Sequence, residues 1–132
     1  MVDIIKLADG VATAIGDDAE VALAPEFTLL DVKEKRRTVV VPVSVAHKML
    51  ARGVREDVFK VEVGVLQKAT EDDLIELVSE VQKLAVKLLH KHIEGAICVS
   101  VEHTPLYDAR LMRERRQFAG VIELTFKGEG NS

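Results

Sequence analysis

The sequence predicts an α+β fold in which about five strands form an antiparallel or mixed sheet, with two helices packed on one of its faces. Two segments carry apolar residues at three- and four-residue spacing, which is typical of amphipathic helices. Other segments alternate apolar and polar residues, which is typical of strands with one buried face. These segments follow one another in the order α-β-β-β-α-β-β, an arrangement that suits helices gathered on one side of a sheet.

The first half of the chain supplies one helix and the first strands. Residues 2–15 have a helical stripe, and Gly16 follows as a helix stop. Residues 26–32 and 37–43 are rich in β-branched and aromatic residues, so we expect a hairpin with a charged tip. Pro42 cannot donate to a strand ladder, which places the second strand at a sheet edge or ends it there.

The middle of the chain contains the most regular patterns. Residues 44–57 have weak periodicity and are expected to form a long loop. Residues 57–67 alternate as a strand with one buried face. Thr70 and the acids after it predict a helix start, and the helix is expected to end near His92, with Gly95 beyond it.

The last third supplies the two remaining strands. Residues 96–103 and 117–127 alternate, and the stretch between them suits a connection with about one helical turn. Residues 128–132 are expected to form a dispensable tail.

Composition limits the cellular setting and the number of domains. The chain of 132 residues is 48% hydrophobic, enough for one domain spanning residues 1–132 with its own core. A single cysteine, Cys98, needs no oxidising compartment. The N-terminus lacks the pattern of a signal peptide, and no apolar run reaches the roughly 18 residues of a membrane span. We therefore expect a protein made in the cytoplasm without membrane partners.

The sequence offers no constellation for catalysis, cofactor binding or metal binding. His90 and His92 are two residues apart, so on a helix they would point in different directions, and His47 and His103 lack nearby ligands at metal spacing. Cys98 lies within a strand and is expected to be a buried, inert thiol. No phosphate-binding or hydrolase motif is present. We expect no enzymatic activity and no cofactor.

Charge is segregated along the chain. Residues 1–30 hold one lysine against six acids, residues 31–60 hold eight basic and four acidic groups, and residues 110–116 hold four arginines and one glutamate. Basic connections that face an acidic segment predict contacts between copies or with another acidic surface. With five aromatic residues there is little stacking surface for nucleic acid. The candidate interface residues are Lys33, Lys35, Arg36, Arg37, Arg52, Arg55, Arg110, Arg113, Arg115 and Arg116.

An ordered set of segments resembles the tail terminator proteins of long-tailed bacteriophages, also called minor tail or tail completion proteins. The set comprises EFTLLDV, VVVPV, an arginine-containing loop, DVFKVEVGVLQK and a long amphipathic helix. It closes with Pro105, then Tyr107-Asp108, and then RERRQFAGVIELTFK. The resemblance covers residues 20–127 and rests on the order and spacing of the segments.

This resemblance implies a structural virion protein located at the head-proximal end of the tail. Such a protein forms a ring, usually of six copies, that stops growth of the tail tube and joins it to the head connector. Its partners would be further copies of itself, the major tail tube protein and the head–tail connector protein. DNA can pass through such a ring without sequence-specific recognition. A closed ring needs two different patches on each copy, which suits segregated charge.

Two other functions remain compatible with the sequence. One is a small regulatory or ligand-binding α+β module that forms oligomers with a small-molecule site between copies. The other is a different head–tail joining, or neck, protein of the virion.

Overall fold

The computed structural model describes residues 2–16, 19–23, 36–103 and 106–131. A helix opens this part of the chain, and long strands and two further helices follow it. The expected strand at 26–32 and the charged tip at Lys33 and Lys35 lie outside the described residues. The elements are α1 (Ile4–Ile15), β1 (Glu20–Val21), β2 (Arg37–Ala51), β3 (Val54–Lys68), α2 (Leu74–Leu88), β4 (His92–Ile93), β5 (Ala96–His103), α3 (Ala109–Arg115) and β6 (Gln117–Asn131).

The strands form one mixed sheet of six, in the order β1-β2-β3-β6-β5-β4. Among the strands of the described residues, only β1 and β2 are parallel, and the remaining neighbours are antiparallel. The α+β class is confirmed, with six strands in place of about five. Two of the six, the short strands β1 and β4, have no counterpart among the predicted strands: β1 lies between the predicted first helix and first strand, and β4 lies where the second helix is expected to end.

Helices α1 and α2 cover one face of the sheet, here called the inner face, as the sequence predicts. Alternate residues of β3 and β6 point into this layer because side chains along a strand alternate between faces. They meet the apolar stripes of the two helices in one core. Its largest fully buried side chains include Phe59, Phe118, Phe126, Leu7, Leu88, Ile122 and Leu124.

Helix α1 begins and ends at capping residues. The Asp3 carboxylate accepts a hydrogen bond of 2.8 Å from the backbone N–H of Ile5, which satisfies one of the free donors at the start of the helix. Gly16 ends the helix with a φ of 73°, a conformation that glycine adopts without a steric penalty. The predicted stop at Gly16 is confirmed.

Helix α2 starts as predicted and ends earlier than predicted. The backbone N–H of Thr70 donates to the Asp73 carboxylate at 3.1 Å in a capping box. The helix stops at Leu88, and not near His92. His90 then takes a positive φ of 67°, and its N–H donates to the carbonyl of Cys98 at 2.9 Å. Pairing with β5 therefore draws the chain out of the helix.

The expected loop at residues 44–57 is wrong, because these residues form the outer halves of β2 and β3. The strands continue through Pro42, which pairs with Val61 and lies where the register shifts. Within the described residues, β1 pairs with β2 only at Val39 and Val40, so Pro42 lies on an open edge. The missing N–H therefore interrupts no ladder with a described strand on that side.

The end of the chain also differs from expectation. Residues 128–131 continue β6 alongside the start of β3, and are not a separate tail. The connection before β6 contains the seven-residue helix α3, capped by the Asp108 carboxylate, which accepts bonds from the N–H groups of Arg110 and Leu111. Tyr107 stacks on Phe118 with their ring centroids 6.1 Å apart. These two contacts fix α3 against the start of β6.

A second, smaller apolar cluster lies on the opposite, outer face of the sheet. It contains Val39, Val41, Leu66 and Ala119, with Leu111 of α3 packed against it. Helix α3 therefore packs Leu111 against the outer cluster and Met112 into the inner core at the same end of the sheet.

Candidate functional site

The most unusual feature of the molecule is a projecting hairpin formed by residues 43–58, here called the arm. Its turn is the dipeptide Arg52-Gly53, and Ala51 pairs with Val54 across it. Gly53 has a φ of 80°, which a tight two-residue hairpin turn requires. Residues 128–131 of β6 pair along the β3 side, so the arm is a ribbon of three strands.

Apolar side chains on the arm are exposed to solvent. Every residue from Val43 to Val54 is exposed, although the strands are rich in large apolar residues. A cluster of exposed apolar residues of this kind marks an interaction surface. The exposed fractions are 49% for Val43, 38% for Val45, 71% for Met49, 49% for Leu50 and 37% for Val54.

Two irregularities in β2 shape this surface. The register with β3 shifts between Pro42 and Ser44 and again between Met49 and Ala51. The shifts leave Val43 and Leu50 without a direct partner on β3. A bulge adds local twist and changes where the following side chains point. The arm therefore presents apolar side chains on both of its faces.

A buried carboxylate ties the two strands of the arm together. Asp57 is 2% exposed, and its Oδ1 accepts a hydrogen bond of 2.7 Å from Arg55 Nε. The same Oδ1 lies 2.6 Å from His47 Nδ1 on the facing strand. Hydrogen bonding to Arg55 holds the pKa of Asp57 below its ordinary value, and the His47 contact acts in the same direction against the effect of burial.

This cluster orders the arm and has no catalytic partner in the described residues. His47 is held through Nδ1 by Asp57, as a general base would be, but no described hydroxyl or thiol bonds to the ring. Gly130 and Gly128 of β6 lie directly opposite Arg55 and Asp57. We assign the cluster a structural role.

The predicted interface residues that the structure describes separate into two groups at opposite ends of the sheet. Arg52 and Arg55 lie on the arm. Arg36 and Arg37 lie at the start of β2, where Arg36 pairs with Glu80 and Arg37 Nε lies 2.6 Å from Glu20 Oε1. The remaining candidates, Arg110, Arg113, Arg115 and Arg116, lie on or directly after α3 at that same end.

The four arginines on or directly after α3 are all exposed. Arg110 pairs with Glu114 one turn later at 3.3 Å. Arg113, Arg115 and Arg116 are exposed and make no ion pair with any part of the chain that the structure describes. Arg116 takes the left-handed conformation that ends the helix, with a φ of 53°. Three unpaired guanidinium groups within four residues form a compact basic patch.

Three glutamates form a row across the outer face, here called the glutamate row. Glu62 on β3 is directly opposite Glu123 on β6, which is directly opposite Glu102 on β5. Burial raises the pKa of Glu62, and the charge of Glu123 raises it further. Lys60 Nζ lies 3.6 Å from Glu123 Oε1 and offsets part of the charge. Like charges on facing strand positions repel each other.

The remaining histidines and Cys98 occupy different surroundings. His90 and His92 are exposed, but they follow helix α2 and do not lie on it. Nδ1 of His103 is buried without a hydrogen bond in the described part of the chain. Cys98 is fully buried, as expected, and burial raises the pKa of its thiol. Among the described residues, no group of three or more His, Cys, Asp or Glu side chains could hold a metal ion.

Two further features concern cavities and membranes. A shallow open groove lies between α1 and β4, lined in part by Asp9, Gly10, Thr13 and Ile93. In the ranges that the structure describes, no helix has the length and apolar character needed to cross a membrane.

The arm and its polar cluster are the main features that sequence patterns did not identify. His47 and Asp57 are ten residues apart and meet only when a hairpin turns at Arg52-Gly53. The Arg52-Gly53 dipeptide is the feature of the sequence that indicates this hairpin, because a glycine at a two-residue turn sets the pairing of the flanking residues. Because the arm is exposed on both faces, its sequence lacks the alternation of apolar and polar residues that identifies the other strands.

Comparisons with known proteins identify a similar fold. No protein family and no curated protein matches the sequence. A solved structure described as "Virion of native gene transfer agent (GTA) particle" contains a chain with a similar fold, at a TM-score of 0.50 and 14% sequence identity. The match covers 99% of this chain and 96% of that chain, so the two share the fold over nearly their whole lengths.

Proposed function

We propose that this chain is a structural protein of a phage-like virion and acts as a tail terminator. Copies of the chain form a ring at the head-proximal end of the tail tube. The ring stops growth of the tube and presents the surface that the head–tail connector protein binds. Its partners are further copies of itself, the major tail tube protein and the connector.

The observation that carries this proposal is the projecting arm. A ribbon exposing Met49, Leu50 and Val54 leaves apolar surface in water, and contact with another chain removes it. An assembly subunit needs such a surface. The described residues contain no arrangement that would suit the arm to catalysis.

Two further findings support the proposal. The similarity in fold to a chain of a gene transfer agent virion extends over nearly the whole length of both chains. The sequence also carries the ordered segments that resemble tail terminators, and the structure gives two of their residues clear roles. Asp108 caps α3, and Tyr107 stacks on Phe118.

Native mass spectrometry and negative-stain electron microscopy of the full-length chain test ring formation. We expect closed rings, with about six copies as the resemblance implies. A chain that stays monomeric at every concentration would contradict ring formation. A dimer or tetramer stabilised by a metabolite would favour the ligand-binding module.

Tube assembly tests the terminator role. Purified chain is added to the polymerising tail tube protein of the same virion, and tube lengths are measured by electron microscopy. We expect shorter tubes with added density at one end. Rings that bind the connector and leave tube length unchanged would instead identify a neck protein. Albumin at the same concentration serves as the control for nonspecific effects on polymerisation.

A further inference from the structure

Two opposite edges of the sheet carry surfaces that match each other. At the first edge, the arm presents the apolar residues Met49, Leu50 and Val54, here called the arm tip. Lys48 and Arg52 flank the tip, and both are exposed without an ion pair in the described part of the chain. No described strand pairs with this part of β2 on the side away from β3. The first edge is therefore apolar and basic.

The second edge, at β5, is apolar and acidic. The register with β6 shifts between Cys98 and Ser100, so Val99 bulges outward and is 40% exposed. Glu102 follows on the same strand, is exposed, and belongs to the glutamate row. Strand β4 covers β5 only at Ala96 and Ile97, so in the described residues the rest of that edge has no neighbouring strand.

We propose that the arm of one copy docks on the β5 edge of the next copy. Lys48 and Arg52 then lie against Glu102 and Glu123, and the arm tip packs against Val99. The proposal rests on the proposed function, since it assigns the contact between neighbouring copies in the ring.

Charge and apolar surface together favour a second copy as the occupant. Opposite charges meet, which relieves the repulsion within the glutamate row and steers the two copies together. The arm tip and Val99 lose exposed apolar area in the same contact. A partner without acidic groups would leave Lys48 and Arg52 without counter-charges.

The position of the two surfaces excludes a contact within one chain. Strands β3 and β6 separate β2 from β5, which places the two edges about 14 Å apart at the usual strand spacing. One copy therefore offers its β5 edge to a neighbour while its arm contacts another. Two different patches that repeat in this way generate a closed ring when the rotation between copies closes.

Charge reversal provides the test, in two variants of the full-length chain. The arm variant carries Lys48→Glu and Arg52→Glu, and the edge variant carries Glu102→Lys and Glu123→Lys. We expect each variant alone to need at least about tenfold more protein than the unmodified chain to form rings. A control with Lys83→Glu and Lys87→Glu, on the exposed side of α2, should form rings like the unmodified chain.

Mixing the two variants gives a sharper result. The normal arm of the edge variant meets the normal β5 edge of the arm variant, and the reversed arm and reversed edge also carry opposite charges. Each variant repels itself, so we expect mixed rings in which the two variants alternate, measured by native mass spectrometry. A single chain that carries all four reversals should form rings again, because both contacts regain opposite charges.

The outcomes separate this contact from the proposed function. Rings of the unmodified chain together with unaffected rings of the arm variant would overturn the contact and leave the ring intact. Failure of the fourfold variant to form rings would also overturn it, provided that circular dichroism and urea unfolding match the unmodified chain. An unmodified chain that never associates would overturn both.

Discussion

Asp57 shows how one buried charge can order an exposed element. Its carboxylate receives hydrogen bonds from Arg55 and contacts His47 across the turn, so the strands of the arm are joined by side chains as well as by their ladder. The Asp57 side chain is itself buried, whereas its partners Arg55 and His47 remain 18% and 55% exposed. Its contribution to stability is therefore moderate in size and depends on its charge.

Replacing Asp57 tests this role. We expect Asp57→Asn to lower the free energy of unfolding by about 1–2 kcal/mol at pH 7, because two charge-assisted bonds are weakened near solvent. The folded-state pKa of Asp57 is lowered from 3.8, so its stabilisation is complete above that pH and is lost as the pH falls through the folded pKa. Urea unfolding at pH 7 and pH 3 measures the difference.

The control for this prediction is the neighbouring residue Glu56, whose carboxylate lies 3.9 Å from Lys127 Nζ in a more open contact. Glu56→Gln should change stability by less than about 0.5 kcal/mol at either pH. An equal loss of stability at pH 7 and pH 3 for Asp57→Asn would show that the charge of Asp57 does not stabilise the arm.

At the scale of elements, β6 depends on small residues where other groups approach it closely. A Cβ atom added at Gly120 would lie 2.9 Å from the backbone oxygen of Leu106 and 3.2 Å from the Phe118 ring. A backbone oxygen cannot rotate away as the end of a side chain can. The segment before α3 therefore passes directly over the strand at this glycine.

A pair of glycine substitutions in the same strand tests this contact. We expect Gly120→Ala to destabilise the protein by about 1–3 kcal/mol through overpacking. Gly128→Ala is the matched control, since the nearest atoms lie 3.4 Å away, and it should be neutral or stabilising by up to about 1 kcal/mol. Thermal unfolding of the two variants compares them, and equal midpoints would contradict the close approach.

How far the sequence predicts each element depends on whether that element has one buried face. Helix α2 and strand β3 have one buried face where they meet the core, so periodicity identified them there. The arm is exposed on both faces, and its polar cluster depends on pairing across a turn. The early end of α2 arises from contacts between His90 and β5, which no local pattern contains.

At the scale of the whole molecule, charge divides into patches that face different directions. One basic patch, Lys48 and Arg52, lies on the arm, and a second, the arginines of α3, lies at the far end of the sheet. The glutamate row lies across the outer face between these two patches. The formal charge of −4 averages over these patches. With the arm assigned to the neighbouring copy, the arginines of α3 are available for the tail tube.

Reversing the α3 patch tests this assignment. We expect Arg113→Glu, Arg115→Glu and Arg116→Glu together to weaken capping of tail tubes at least about tenfold. All three residues are exposed, and the introduced carboxylates would repel an acidic partner surface. Tube lengths in electron micrographs measure capping. Lys6→Glu, Lys83→Glu and Lys87→Glu together change the net charge equally and should leave tube length unaffected. Normal capping by the arginine variant would exclude a role for this patch.

The continuity of β2, β3 and β6 has a mechanical consequence. Each strand has 15 residues and runs without a break from the α3 end into the arm, a distance of about 50 Å for a fully extended strand. The arm is thus a continuation of the core sheet and not a loop that moves about a hinge. The arm accounts for about 30 Å of this length, so a tilt of one degree at the core moves its tip by about 0.5 Å. In a ring joined through these arms, a small rotation of one copy would displace the surface that the next copy contacts.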